Sequence, residues 1–324
     1  MISLNEIKAP IKRQMDEFEI KFKDSMKSSV SLLDIITKYI VKRKGKQIRP
    51  MFVFFSADIC GGINESTHRA ASLIELLHTA TLVHDDVVDD SNERRGFFSI
   101  NALWKNKIAV LVGDFLLSRG LLLAVDNQDY NLLKIVSDSV REMSEGELLQ
   151  IEKARSLDIK EPIYYEIIKK KTATLIASCC ACGAASAGAD AEMVKKMYDI
   201  GENIGIAFQI KDDLLDFEGT RATGKPTGVD IKEQKLTLPL IYLLNNISSS
   251  EKRKIINIIK NHHNDLEKVA LVINQVNQSG GIAYATEKMR EYQQKAIDGL
   301  ESFGNHPSAK SLRDLILYTT ERNK

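Results

Sequence analysis

Residues 82–90 read LVHDDVVDD, and residues 208–217 read FQIKDDLLDF. The same Asp-Asp-x-x-Asp pattern thus occurs twice, as Asp85, Asp86 and Asp89 and again as Asp212, Asp213 and Asp216. On an α-helix, residues four apart share a face, so Asp85 and Asp89 point one way, and Asp212 and Asp216 do likewise. Each acidic face is set in a strongly apolar run, where carboxylates without partners are costly. Two such faces brought opposite each other would make an all-oxygen site that calls for hard divalent cations. Mg²⁺ fits best, because it takes one or two carboxylates, keeps waters and shares its remaining positions with phosphates. A single copy is more often a solvated helix face. Two copies, each followed by basic residues able to hold phosphate, point to metals at the mouth of an apolar space, which suits an apolar diphosphate.

Outward from these two stretches, apolar residues recur at spacings of three and four, and period-two runs with hairpin signals are missing. The pattern predicts helices near residues 3–42, 48–60, 65–91, 98–103, 107–126, 129–153, 161–188, 190–217, 235–246, 250–260, 264–278, 281–303 and 307–321. Lys44-Gly45-Lys46 breaks the first pair of helices and Gly61-Gly62 ends the second. The clearest loop is EGTRATGKPTGVDIKEQ, residues 218–234, with three glycines, a proline and several charges. It directly follows the second aspartate motif and reads as a lid or phosphate-holding loop. No fixed-period repeat, low-complexity tract or interdomain linker interrupts the chain. The expected fold is therefore all-α, one domain over residues 1–324, a bundle of about ten or more helices around a central apolar cavity.

Composition excludes several classes. Lys plus Arg number 45 and Asp plus Glu 44, so there is no global electrostatic case for nucleic acid. The N-terminus, MISLNEIKAPIKRQ, lacks the apolar core of a signal peptide, and a cytoplasmic protein is expected. Four cysteines are too few for a disulfide scaffold in 324 residues. Cys179, Cys180 and Cys182 lie in one Ala/Gly/Ser-rich run with no histidine spaced to complete a zinc site, and read as small packing residues. The uncharged run from Thr172 to Ala189 approaches membrane-spanning length, but its small residues suit a buried helix better than lipid. Ile108 to Val125 is more apolar, yet Asp114 and Arg119 interrupt it, so no transmembrane segment is expected.

The aspartate motifs belong to a longer series. In chain order it runs Gly45-Lys46-Gln47-Ile48-Arg49-Pro50, His78 in ELLHTATLVHDD, the first aspartate motif, Arg94-Arg95-Gly96, Gly113-Asp114, Lys171-Thr172, FQIKDD, Gly224-Lys225 and Lys235. In that series the chain resembles the trans-type polyprenyl diphosphate synthases, long-chain members such as the octaprenyl and heptaprenyl synthases among them. The resemblance covers about Gly45 to Lys235 motif by motif, and the helical remainder is compatible with the family's isoprenoid synthase fold. It implies that Asp85 and Asp89 ligate Mg²⁺ with Asp86 close by. In the second motif Asp212 would bind a metal directly, and Asp213 and Asp216 would act nearby or through water. The resemblance implies about three Mg²⁺ ions per active site with substrate bound. Arg94, Lys171, Thr172, Gln209, Lys225 and Lys235 would hold the allylic diphosphate, and Lys46, Arg49, His78 and Arg95 isopentenyl diphosphate. Lys and Arg are the expected diphosphate partners, Arg through its planar fork and Lys as a point charge. His84 lacks support in the series and is read as structural. Many members carry Lys-Arg-Leu or Lys-Lys-Leu where this chain has Lys46-Gln47-Ile48, but the lysine and the following arginine are kept.

The implied reaction is ionisation, condensation and elimination, with the released diphosphate as the base and no dedicated protein base in view. Family members that stop at farnesyl place an aromatic residue shortly before the first motif, or insert residues within it. Here Ala80 and Thr81 occupy those positions, so the reading expects an open tunnel and a product longer than geranylgeranyl, suited to a quinone side chain. The primer would be farnesyl or geranylgeranyl diphosphate. A homodimer and a peripheral membrane contact for product release are further expectations. The competing readings are a short-chain farnesyl or geranylgeranyl synthase, a non-catalytic synthase subunit and a terpene cyclase. A cyclase usually replaces the second aspartate motif with an Asn/Ser/Glu triad and has no use for Lys46, Arg49 and His78. A regulatory subunit usually loses aspartates or bases that are present here.

Overall fold

A computed structural model describes residues 2–42, 45–94, 96–157, 160–218 and 228–321 of the chain. The N-terminal segment holds α1 (Leu4–Ile7), a 3₁₀ turn (Ala9–Ile11), α2 (Lys12–Ser25) and α3 (Ser31–Lys42). The central part holds α4 (Ile48–Cys60), α5 (Glu65–Val88), the two-residue strands β1 (Glu93–Arg94) and β2 (Phe97–Phe98), α6 (Ile100–Asp126) and α7 (Tyr130–Ser156). Next come α8 (Glu161–Ile168), a π-helical turn (Lys169–Ala173), α9 (Thr174–Ser186) and α10 (Ala191–Glu218). The C-terminal part holds α11 (Val229–Lys232), α12 (Leu238–Asn246), α13 (Ser249–Asn261), α14 (Leu266–Gln278), α15 (Gly281–Leu300), a 3₁₀ turn (Glu301–Phe303) and α16 (Pro307–Thr320). The architecture is an all-α bundle. Its one small ribbon pairs Glu93 with Phe98 between the first aspartate motif and α6.

Helix α9 lies at the centre, and residues 173–184 are all buried. A helix that is apolar all round has no face to offer water and must be surrounded, here by α4, α5, α7 and α10. Small residues make that enclosure possible. A Cβ on Gly183 would come within 2.4 Å of the Val53 carbonyl oxygen on α4, and one on Gly205 within 2.4 Å of Ala173 Cα. Cys179, Cys180 and Cys182 are free, buried thiols in this helix, in keeping with their reading as packing residues. Burial raises all three thiols above their ordinary range, which keeps them protonated.

The long helix α5 starts at a capping box in which Asn64 accepts from the Thr67 amide and Thr67 answers to the Asn64 amide. It runs beside α6, whose Gly113 lets the backbone close on His84, since a Cβ there would lie 2.1 Å from the imidazole. His84 Nε2 sits 3.3 Å from the Val110 carbonyl and 3.4 Å from Asp114, which accounts for the Gly113-Asp114 pair as helix packing and agrees with a structural His84. By length and composition α6 could cross a membrane. One side of it nevertheless packs into the core through Val112, Leu116 and Ala124, and Arg119 donates to the Ser25 carbonyl at 2.7 Å.

Several expected boundaries move. The single helix expected over 3–42 is broken twice. Pro10 cannot supply an amide to a continuing helix, and Ala9–Ile11 forms a 3₁₀ turn instead. A second break follows Ser25, where the Ser28 hydroxyl accepts from the Val30 amide. The helix expected over 161–188 contains the π-helical turn, one residue per turn wider than its flanks. The gap expected between 103 and 107 is a kink at Lys105 (φ 72°, ψ 162°) within α6. The loop expected over 218–234 contains α11.

Candidate active site

The apolar faces of the bundle enclose a cavity of ≈ 1740 Å³, larger than the roughly 300–1,000 Å³ of most small-ligand pockets. Helix α5 places Glu75, His78, Thr79, Leu82, Asp85 and Asp86 on its wall, at spacings of three and four. From the other side come Lys171 and Thr172 on the π-helical turn and Gln209 and Asp212 on α10. Lys46, Arg49 and Lys235 complete a cationic rim. The deeper wall is apolar, with Phe52, Met143, Leu175, Ile176, Ile204 and Phe208. The structure therefore gathers both aspartate motifs and most of the expected phosphate ligands around one apolar space.

The two motifs differ in detail. Asp85 and Asp89 are exposed, whereas Asp86 is buried. Asp89 is the residue at which α5 ends, its amide donating to the Asp85 carbonyl at 2.8 Å. In the second motif Asp212 is exposed and lines the cavity. Asp216 accepts from the amides of Val229 (3.0 Å) and Asp230 (3.2 Å), so it tethers α11 beneath the site. Asp213 is turned inward, 5% exposed, its two oxygens accepting from Gln209 Nε2 at 2.8 Å and Tyr164 Oη at 2.7 Å. Burial, followed by the Asp230 charge, pushes its carboxyl well above the usual range, and the two donors pull it back only in part.

The cations are held by acids. Lys171 pairs with Glu147 and donates to Gln150 Oε1 at 3.4 Å. Thr172 Oγ1 donates to Gln209 Oε1 at 2.8 Å. Arg49 Nε donates to Glu75 at 2.7 Å, and the Lys46 ammonium lies 5.2 Å from the Tyr318 ring centre. Lys235 pairs with Glu233. Burial works against its charge, but Glu233 and Asp230 more than offset that and hold the ammonium above its ordinary value. Arg95 and Lys225 lie outside the described residues, as does the Arg94 side chain, whose backbone belongs to β1. The middle of the expected lid, residues 219–227, lies outside them too.

Asp89 and Asp216 are not among the residues that line the cavity, and neither is Ala80. Ala80 is 2% exposed and packs in the seam between α5 and α6 with Leu76, Val83, Val112 and Leu116. Its neighbour Thr81, turned about 100° round the helix, lines the cavity instead. Three further residues escaped the sequence reading. Asp230 is half-buried under the second motif, where desolvation first, then Asp216, pushes its carboxyl up to about 7. Its position five residues after Lys225 in the same loop was the available signal. Glu147, the partner of Lys171, and Tyr164, the partner of Asp213, had no motif to mark them.

The donor set fits Mg²⁺. Exposed Asp85 and Asp212 flank a water-accessible cavity, and all the nearby acids are oxygen ligands. Mg²⁺ takes one or two carboxylates and completes its shell with water and phosphate.

A bundle of this kind, with two aspartate helices and a cationic rim over an apolar cavity, defines a prenyl-transfer site. The family model described as polyprenyl synthetase matches residues 30–276. The chain belongs to the polyprenyl synthetase family and is a prenyltransferase. It is 36% identical over 321 residues to an all-trans-nonaprenyl-diphosphate synthase (geranyl-diphosphate specific) of Rhodobacter capsulatus, covering 98% of this chain and 97% of that one. It superposes on a decaprenyl diphosphate synthase from Rhodobacter capsulatus with a TM-score of 0.92 at 31% identity, over 99% of this chain and 100% of the other. It also superposes on a polyprenyl synthase from Caulobacter crescentus CB15, complexed with calcium and isoprenyl diphosphate, with a TM-score of 0.90 at 30% identity, over 99% and 98% of the two chains.

Proposed function

We propose that this protein is a Mg²⁺-dependent synthase that condenses farnesyl or geranylgeranyl diphosphate with successive isopentenyl diphosphate units into a long all-trans polyprenyl diphosphate. The observation that carries the reading is the union of both aspartate motifs with Lys171, Thr172, Gln209 and Lys235 on one large apolar cavity. The long-chain names of the relatives support the product class. Lys171, Lys235 and Gln209 bind the allylic diphosphate, with Arg94 and Lys225 as further ligands. Lys46, Arg49 and His78 bind isopentenyl diphosphate, with Arg95. Asp85, Asp86, Asp89 and Asp212 hold the cations, and Asp216 supports them from the α11 tether. When bound, Mg²⁺ supplies Lewis-acid stabilisation of the charge that develops on the departing diphosphate. The basic residues stabilise the same charge. The allylic carbon, freed of its diphosphate, accepts the double bond of the adjacent isopentenyl diphosphate, and the released diphosphate takes the proton that restores a double bond. Apolar walls exclude the water that would quench the cation.

The direct test incubates the purified chain with Mg²⁺, farnesyl diphosphate and labelled isopentenyl diphosphate and sizes the products. A ladder ending in one long prenyl chain is expected. No incorporation with farnesyl or any shorter primer would overturn the reading.

The tunnel role passes to Thr81. Thr81→Phe is expected to shorten the product by several isoprene units, read by chromatography of the dephosphorylated products. Ala80→Phe would instead overpack the α5–α6 seam and act on stability. An unchanged ladder in Thr81→Phe would remove Thr81 from the tunnel.

We also propose a homodimer. Leu103, Val110, Leu111, Leu121, Leu122 and Val125 recur on one exposed side of α6, with Lys107, Asp114 and Ser118 between them, a largely apolar face of the kind that subunits bury. Leu111→Glu combined with Leu122→Glu is expected to halve the sedimentation mass. A double variant that keeps the parent mass would assign the face elsewhere.

A further inference from the structure

Behind the cavity wall runs a chain of hydrogen bonds that the proposed reaction does not by itself require. Thr172 Oγ1 donates to Gln209 Oε1, Gln209 Nε2 donates to Asp213 Oδ1, and Tyr164 Oη donates to Asp213 Oδ2, at 2.8, 2.8 and 2.7 Å. The first two residues line the cavity, while Asp213 and Tyr164 are 5% and 3% exposed behind it. The Gln209 amide turns its NH₂ inward to Asp213 and its oxygen toward Thr172. Three elements are joined, because Tyr164 stands on α8, Thr172 on the π-helical turn and both Gln209 and Asp213 on α10.

We propose that Tyr164 is a positioning residue for the diphosphate site: through Asp213 it fixes the distance between the Lys171-Thr172 turn and Asp212, the neighbour of its own partner. The inference rests on the prenyl-transfer reading of the site. The placement carries it. Tyr164 is the last residue of the chain of bonds and the only one on α8, the helix that leads directly into the π-helical turn. With its hydroxyl removed, Asp213 keeps Gln209 as its donor and loses the tie to α8. The turn that presents Lys171 and Thr172 then keeps the Thr172–Gln209 bond and the Lys169–Glu202 ion pair to α10 but loses the tie on its α8 side. Gly205 lets α10 approach Ala173 at the end of that turn, so a small rotation there is passed straight to the cavity wall.

The adjacent residue provides an internal control. Tyr165 also carries a buried hydroxyl, but that hydroxyl has no hydrogen-bond partner among the described residues. Tyr164→Phe and Tyr165→Phe therefore remove the same atom from neighbouring positions, one bonded and one not.

The test is calorimetric binding of inorganic pyrophosphate in the presence of Mg²⁺, with elongation kinetics measured alongside. Tyr164→Phe is expected to weaken pyrophosphate binding about tenfold. It should lower kcat/KM for the allylic substrate by a similar factor and leave KM for isopentenyl diphosphate within about twofold. Tyr165→Phe should change neither. Should Tyr164→Phe not fold, Asp213→Leu is close in size, can bond neither donor, and is expected to show the same loss of affinity. A Tyr164→Phe protein with a lower melting temperature and parental pyrophosphate affinity would overturn the proposal and leave the hydroxyl a fold-stabilising group. Parent protein that binds pyrophosphate in a Tyr164-dependent way but does not elongate would overturn the proposed function and leave this inference standing.

Discussion

Asp85→Ala is expected to lower kcat/KM for elongation about a thousandfold, the scale on which one anchor of a charge-stabilising cation acts in a transition state. Its melting temperature should stay within a few degrees of that of the parent. The two expectations have one origin. Asp85 is exposed on the cavity face of α5, so its removal leaves no hole in the core. It stands in a run with Asp86, Asp89 and Asp90, so its removal relieves repulsion, and alanine is the better helix former. Steady-state kinetics across a Mg²⁺ series and a circular-dichroism melt would check both halves. A fall smaller than tenfold would mean that Asp85 does not carry a metal. Asp86→Ala should differ, since Asp86 is buried and its loss also disturbs packing.

Without divalent cations the protein is expected to lose stability as pH rises from about 4 to about 7, and Mg²⁺ should restore it most at the alkaline end. Asp230 accounts for the sign. Its folded-state carboxyl is pushed up to about 7, against 3.8 ordinarily, by burial first and then by Asp216. Between those values the folded protein holds a proton that the unfolded chain has given up, so stability falls as pH climbs through the window. A shift of that size corresponds to about 4 kcal/mol. Asp213 adds in the same direction, driven by burial. His68 acts oppositely. Burial lowers its value below the ordinary 6.5, so its contribution is complete above 6.5 and is lost only as the solution becomes more acid. Melts in EDTA at pH 5 and 8, repeated with Mg²⁺, read the effect. In EDTA at pH 8, Asp230→Asn should melt higher than the parent. If it melts lower, the carboxylate is stabilising in the metal-free state and the account is wrong.

The fold class and both acidic motifs were legible in the sequence because their signals are local. A spacing of three and four fixes a helical face wherever the helix sits, which is why Asp85, His78 and Asp212 could be placed together before any coordinates. Asp213 has the same spacing as its neighbours, yet its role depends on Tyr164, 49 residues earlier in the chain. No periodicity reports such a pairing. Ala80 and Thr81 illustrate a second limit. Both lie one turn below the motif, and which of them meets the cavity depends on where α6 crosses α5. The π-helical turn is a third case, because one extra residue in a turn changes the apolar pattern too little to be seen. Pro10, by contrast, was a local breaker inside the helix expected over 3–42, and its steric rule outweighed the apolar periodicity there.

The glycine contacts along α9 and α10 have a practical corollary for anyone wishing to reshape the product. Leu175, Ile176, Ile204 and Phe208 form the side of the cavity whose backing is backbone against backbone, with Gly201 and Gly205 pressed on Ala177 and Ala173. Bulk added behind that side has nowhere to go. The opposite side, with Phe18 and Phe22 of α2 and Tyr39 and Ile40 of α3, rests on interlocking side chains and a helix pair already interrupted after Ser25. A mutant library built to alter chain length should therefore diversify α2, α3 and the Thr81 face of α5 and hold the α9–α10 glycines constant. The enzyme has one rigid jaw and one adjustable jaw.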